Sequence, residues 1–233
     1  MQLGVVIQAR MSSHRLPAKV LTPVNGKVLL QYLLEKLDHC SNVDQIIVAT
    51  SNDISDLPIV EFCRQYGVLC YRGSLHNVAS RFGEIAAQYA FAGIARINGD
   101  SPLLDYKLLE QGIEIFNSGE FDLVTNVYPR SYPIGQSIEI FRASVFRVAY
   151  LQMNNPDDLE HVTPYFYRNS DRFKLFNLSS GNDWGAIQLA VDTPADLKRC
   201  AILLSKMTLP HWEYRVVEMI ELLSTLEATA EKI

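Results

Sequence analysis

Short runs rich in Val and Ile alternate with longer segments of helical period through the first half of the chain, and this alternation constrains the fold more than any other feature. Leu3 to Ala9, Gln45 to Thr50, Val68 to Arg72, Ile94 to Asn98 and Leu123 to Asn126 read as buried strands. Between them, Val28 to Cys40, Ile59 to Tyr66, Val78 to Phe91 and Leu108 to Phe116 place apolar residues at i, i+3, i+4 and i+7, as crossover helices do. Parallel strands joined through helices need right-handed crossovers, which cover both faces of the sheet. The expected class is therefore α/β, with a mostly parallel sheet between helical layers.

After residue 126 the pattern changes. Tyr128-Pro129-Arg130-Ser131-Tyr132-Pro133-Ile134-Gly135 breaks any helix and leads into an expected strand from Ser137 to Phe141, read as an insertion beside the main sheet. Asp157 to Arg168, Pro194 to Lys206 and Glu213 to Lys232 read as helices, and Phe173 to Leu178 and Ala186 to Val191 as strands. A length of 233 residues suits one domain, 1–233, with an insertion, dimerisation or acceptor subregion at about 127–170.

With 21 Lys and Arg against 26 Asp and Glu, the net charge of −5 gives no global positive field. Nucleic acid and anionic membranes are therefore not expected partners, and a polyanion must be held locally. Cys40, Cys63, Cys70 and Cys200 form no Cys-x-x-Cys pair, so they read as reduced thiols. Met1 runs directly into strand-like sequence with no basic leader, and a cytoplasmic location is the expectation.

Three strand ends carry the candidate chemistry. The first leads into Gln8-Ala9-Arg10-Met11-Ser12-Ser13-His14-Arg15-Leu16-Pro17-Ala18-Lys19, a loop with three fixed cations where an open parallel sheet binds ligands. It reads as a phosphate site or as a solvated cationic loop. Neither G-x-x-x-x-G-K-[ST] nor G-x-G-x-x-G is present, which argues against P-loop hydrolysis and nicotinamide chemistry. The second end is Arg96-Ile97-Asn98-Gly99-Asp100-Ser101-Pro102-Leu103, in which Asp100 is either a turn or capping residue or a ligand for a magnesium ion, Mg2+. The third is Val191-Asp192-Thr193-Pro194: Thr193 suits a helix cap with Pro194 at the first position, leaving Asp192 free. Only the fold can bring Asp100 and Asp192 together.

These segments, with Glu160-His161-Val162-Thr163-Pro164-Tyr165 between the second and third, together resemble the spore coat polysaccharide biosynthesis protein F group of cytidylyltransferases. That group is similar to the enzymes that make CMP-activated Kdo and sialic acids. The resemblance covers roughly residues 3 to 205 and rests on four motifs in order. It implies a nucleotide-diphospho-sugar transferase fold, GT-A-like, a three-layer α/β/α sandwich. It further implies CTP as nucleotide substrate, with Gln8, Ala9, Arg10, Ser13, Arg15, Lys19, Arg81 and Asn98 binding it and Asp100 and Asp192 holding Mg2+. Arg10, Lys19 and Asp100 would be catalytic, and Tyr132, Glu139 and His161 would bind the acceptor. Arg130, Arg142, Arg168 and His161 are equal candidates for a cationic patch facing an acidic sugar, and a homodimer is expected.

The chain departs from the group where glycines usually occupy positions 12 and 18, a hydroxyl residue position 14 and an arginine lies near position 188; here stand Ser12, Ala18, His14 and Gln188. Ile134 and Ser137 stand where the group often has aspartates. These departures point to an unusual acceptor or to a nucleotide-binding module without turnover. The expected product is a CMP-activated acidic sugar; a sugar phosphate, polyol phosphate or phosphonate acceptor is the alternative. A glycosyltransferase of the same fold ranks behind, because the Asn98-Gly99-Asp100 strand end holds no Asp-x-Asp.

Overall fold

Leu3–Gln8 (β1) is apolar on both faces, so it must lie in the middle of the sheet, and in the computed structural model it does. The described residues are 2–230, with backbone alone for 227–230. After β1, a small hairpin of Pro23–Val24 (β2) and Lys27–Val28 (β3) precedes Leu29–Leu37 (α1). There follow Gln45–Ser51 (β4), Leu57–Tyr66 (α2), Leu69–Gly73 (β5), Val78–Gln88 (α3), Gly93–Asn98 (β6) and Tyr106–Asn117 (α4). The second half holds Leu123–Thr125 (β7), Glu139–Arg142 (β8), Ala143–Tyr150 (α5), Pro156–His161 (α6), Pro164–Arg168 (α7), Leu175–Asn177 (β9), Pro194–Lys206 (α8) and Val216–Ala230 (α9).

The main sheet runs β5-β4-β1-β6-β8-β7-β9, parallel except around β8. The register pairs Gln8 with both Ala49 and Asn98, so the carboxyl ends of β1 and β6 finish level while β4 runs two residues further, to Ser51. One face packs Val5 and Ile7 against Leu33, Ile59, Leu109 and Ile113 of α1, α2 and α4. The other packs Val6 and Ile94 against Phe82, Phe146 and Phe166 of α3, α5 and α7. A third cluster joins Leu29 and Tyr32 of α1 to Cys200, Leu203 and Met219 of α8 and α9.

Four sequence expectations need correction. The strand expected at Ser137 to Phe141 does not lie beside the sheet: β8 sits between β6 and β7, because Ile140 and Phe141 are apolar towards opposite faces and both fully buried. The stretch Ala186 to Val191 forms no strand. Gly135 (φ +98°) turns so close that a Cβ there would lie 2.5 Å from the Ala190 nitrogen, and pairing shrinks to one bridge between Ile134 and Gln188. The helix expected over Asp157 to Arg168 breaks in two at Val162, whose φ of +73° and ψ of −54° form a γ-turn closed by Thr163 N–H donating to the His161 carbonyl at 2.8 Å. Pro164, which has no N–H, then starts α7. The last helix begins at Val216 rather than Glu213, which lies in a separate 3-10 turn; residues 231 and 232 of that expectation fall outside the described ones.

Among the described residues no helix is long and apolar enough to cross a membrane. Cys63 and Cys200 are buried free thiols, and Cys40 and Cys70 are partly buried.

His211, buried in the turn before α9, couples this packing to pH. Its Nε2 lies 3.0 Å from the Tyr32 carbonyl and 3.7 Å from Glu35, yet burial outweighs both and lowers its pKa to about 4. The unfolded chain therefore binds a proton near pH 6.5 that the folded chain refuses until about 4. The stability His211 contributes is thus present above pH 6.5 and lost as pH falls towards 4. Thermal melts between pH 7 and 4 should show a decline that is shallower in His211→Gln than in the wild type.

Candidate functional site

The level strand ends of β1 and β6 open onto a cavity of about 330 Å3. Gln8, Ala9, Arg10, Ser13, Arg15, Lys19, Asn98, Asp100, His161 and Asp192 all line it, so ten of the residues expected from sequence meet in one cleft. A cavity of about 470 Å3 between α3 and α5 is larger, but Gly83, Ala86, Ala87, Phe91 and Phe146 make it apolar and none of the strand-end residues reaches it.

Asp100, just past the end of β6, and Asp192, just before α8, converge from separate segments. Gly99 lets β6 turn against β1, since a Cβ there would stand 3.0 Å from the Gln8 carbonyl. Asp100 does not cap α4; Asp105 does, accepting from Lys107 N–H. Thr193 caps α8 in a reciprocal pair with Asp196 and Pro194 takes the first turn, which leaves the Asp192 carboxylate free, as the sequence implies. Val191 N–H donates to the Asp100 carbonyl at 2.9 Å and locks the two segments side by side.

Lys19 sits between them. Its Nζ donates to Asp100 Oδ2 at 2.6 Å and to Asp192 Oδ1 at 2.8 Å, with the side chain only 10% exposed. Arg15, 66% exposed, reaches Asp192 at 3.0 Å, and Arg10 donates to Glu160 Oε1 at 2.5 Å. Each loop cation is thus neutralised by a carboxylate of the cleft. The loop itself is built by backbone bonds from Ala18 N–H to the Met11 carbonyl and from Leu21 N–H to that of Ala18. Ala18 is left-handed, φ +60°, a conformation that glycine adopts at less cost than alanine.

Two buried carboxylates brace the walls. Asp56 accepts from Met11 N–H at 2.7 Å and from Ser51 N–H and Oγ, tying the loop to the end of β4. Glu139 binds Arg96 with one oxygen and accepts from Thr163 Oγ1 and Tyr167 OH, both at 2.5 Å, with the other. Burial and the adjacent Glu139 carboxylate together push the Tyr167 pKa well above its usual value, so it stays a donor. Arg96 in turn holds Gln8 Oε1 from Nε at 3.3 Å and Nη2 at 3.1 Å. Because arginine only donates, this orients the Gln8 amide with its NH2 as the remaining donor.

Three expected site residues are not brought into the cleft. Arg81 is fully buried, with Nε and Nη2 on the Ser74 and Leu75 carbonyls; burial lowers its pKa against the pull of Asp56 and Glu160. Glu139 acts through Arg96, and its oxygens are committed to protein donors. Tyr132 lines a different cavity, with Asp105, Trp184 and Arg215. His161 stands at the cleft edge, 58% exposed and 3.6 Å from Asp157.

Sequence reasoning assigned no role to Arg96, His14 and Glu160, all cleft residues. The period of two along β6, which sets Arg96 on the face of Asn98, could have found Arg96. Glu160 lies 150 positions from Arg10, and no local pattern links them.

The family model for cytidylyltransferases matches residues 4–220. Among curated relatives, the spore coat polysaccharide biosynthesis protein SpsF of Bacillus subtilis is 29% identical over 86% of this chain and 85% of its own. The 3-deoxy-manno-octulosonate cytidylyltransferase of Aeromonas salmonicida is 28% identical over 78% of this chain and 70% of its own. A cytidylyltransferase structure from Leptospira borgpetersenii superposes with a TM-score of 0.92 at 30% identity, covering 98% of this chain and 96% of that one.

Removing Lys19 leaves two carboxylates facing each other in a half-buried site. Lys19→Met should therefore lower the unfolding free energy by about 1–3 kcal/mol, and Asp100→Asn should lower it less. In chemical denaturation the double variant should lose less than the sum, because the second change relieves the repulsion exposed by the first.

Proposed function

Because the chain belongs to the cytidylyltransferase family, and is therefore a nucleotidyltransferase, we propose that it joins CMP, taken from CTP, to an acidic sugar for surface polysaccharide or glycan biosynthesis, releasing pyrophosphate. The observation carrying this reading is the convergence of Arg10, Arg15 and Lys19 with Asp100 and Asp192 in one cleft. The acidic-sugar part draws on the A. salmonicida relative, named for an octulosonate, and the polysaccharide part on SpsF.

The donor set fits Mg2+. Asp100 Oδ2 and Asp192 Oδ1 already converge within 2.8 Å of a single cationic nitrogen, and both are hard oxygen donors. Among the described residues no group of three or more His, Cys, Asp or Glu could hold a metal alone. Such a pair suits an ion that completes its shell with water and substrate phosphate oxygens. When bound there, Mg2+ supplies charge neutralisation at the phosphates.

The chain's own residues do the rest by position and charge. Arg10, Arg15 and Lys19 exchange their protein carboxylates for triphosphate oxygens, so binding swaps one set of ion pairs for another. The Ala9 backbone and Asn98 border the base, and Gln8, oriented by Arg96, offers a fixed NH2 donor. The acceptor oxygen loses its proton to solvent and forms a bond to the α-phosphorus as the bond to the bridging oxygen breaks. Arg10 and Lys19 stabilise the charge that develops on the departing pyrophosphate.

Pyrophosphate release should be seen with CTP above the other three nucleoside triphosphates, in Mg2+ and with acidic sugars, and chelation should abolish it. Lys19→Met and Asp100→Asn should each cut kcat/KM by roughly 10²- to 10³-fold. Near-normal turnover in both would overturn the assignment.

A further inference from the structure

The sequence offers Arg130, Arg142, Arg168 and His161 as equal candidates for contacting an anionic acceptor, and the structure separates them. Arg142 pairs in register with Gly93, at the end of β6 away from Asn98; its Nε donates to the Phe121 carbonyl, and its guanidinium lies over the Phe116 ring. Arg168 is spent on Asp157 and Asp158. His161 is a solvated imidazole beside Asp157.

Arg130 differs from all three. It makes no ion pair among the described residues, and its one side-chain hydrogen bond runs from Nη2 to Ser137 Oγ at 3.1 Å. Its Nη1 is buried without any partner. A guanidinium nitrogen removed from water with nothing to donate to is a costly arrangement, and native structures keep few of them. The nearby Glu139 carboxylate does not satisfy it, because Glu139 is shared among Arg96, Thr163 and Tyr167. Burial also pushes the Arg130 pKa down from its ordinary value, though Glu139 and Tyr167 oppose this and the group stays charged.

Its place in the fold connects it to the cleft. β8 pairs antiparallel with β6, Glu139 opposite Arg96. Ser137 lies two residues before β8, beyond the Arg96–Glu139 pair and on the side of Asn98; Arg96 and Asn98 both line the cleft. Arg130 is therefore held by Ser137 at the same sheet rim as the nucleotide residues, one strand further along. Its backbone is fixed by a bridge to Val127. The residue as a whole is only partly buried.

We propose that the Arg130 fork, steadied by Ser137 Oγ, is the anion-recognition group for the second substrate and takes a carboxylate or phosphate of the acceptor. This rests on the cytidylyl-transfer reading above. A planar fork grips either oxyanion in pairs, so the two chemistries share the site.

The test is calorimetric titration of the full chain, first with CTP and then with gluconate as a carboxylate probe, ribitol 5-phosphate as a phosphate probe and ribitol as the neutral control. At least one anion should bind with ribitol at least tenfold weaker, and the tighter one identifies the acceptor class. Arg130→Gln should weaken that anion at least tenfold while leaving CTP affinity within twofold, and Arg130→Lys should fall between. Ser137→Asp, which keeps the arginine but gives it an internal carboxylate, should also weaken the anion tenfold and decides the matter if Arg130→Gln does not fold. Unchanged anion affinity in Ser137→Asp and any folded Arg130→Gln, or equal binding of ribitol, or no binding of either anion, would overturn the proposal. A wild type that binds an anion through Arg130 but not CTP would instead overturn the transfer reading alone.

Discussion

One ammonium between two carboxylates organises this molecule's working end. Lys19 meets Asp100 and Asp192 from 81 and 173 positions away, so the contact joins the first loop, the end of β6 and the segment before α8. The desolvation of all three charges offsets much of their attraction, and such a triad fixes geometry more than it adds stability. What it fixes is a pair of oxygen donors beside a cationic loop. The backbone bond from Val191 to Asp100 makes that placement a property of the sheet edge rather than of two mobile side chains.

The other walls are held by buried acids that do not face the cleft. Asp56 anchors the loop at Met11, while Glu139 orders Arg96, and through it Gln8. Thr163 reaches Glu139 just after Val162, a buried β-branched residue at positive φ. The same short segment sends Glu160 to Arg10, so the strained turn divides a helix in two and aims one residue at each wall. The rear of the site is therefore cross-linked by hydrogen bonds between distant segments, and the exposed Arg15 side chain lies at its solvent edge.

The departures from related chains acquire different meanings once placed. Ala18 keeps the left-handed backbone that glycine would adopt more easily, so the loop retains its course at some local cost. Ile134 works through its backbone, bonded to Ile187, Leu189 and Ala190, and its side chain is exposed. Ser137 bears directly on an arginine, because it leaves Arg130 with a hydroxyl for a partner.

The alternation of apolar runs with helical segments determined the parallel sheet, its helical layers and the strand ends that carry Arg10 to Lys19 and Asp100, and the cap of α8 left Asp192 beside it. Those features are local: strand and helix periods, a capping threonine with its proline and a cluster of loop cations are all written within a dozen residues. Only the tertiary structure decided that β8 enters the sheet, that the segment 186–191 pairs through one bridge, and that Arg81, Glu139 and Tyr132 stay out of the cleft while Arg96 and Glu160 line it. A charge acts through space and not along the chain, so the partner that commits one arginine and leaves another unsatisfied is set by how distant segments pack.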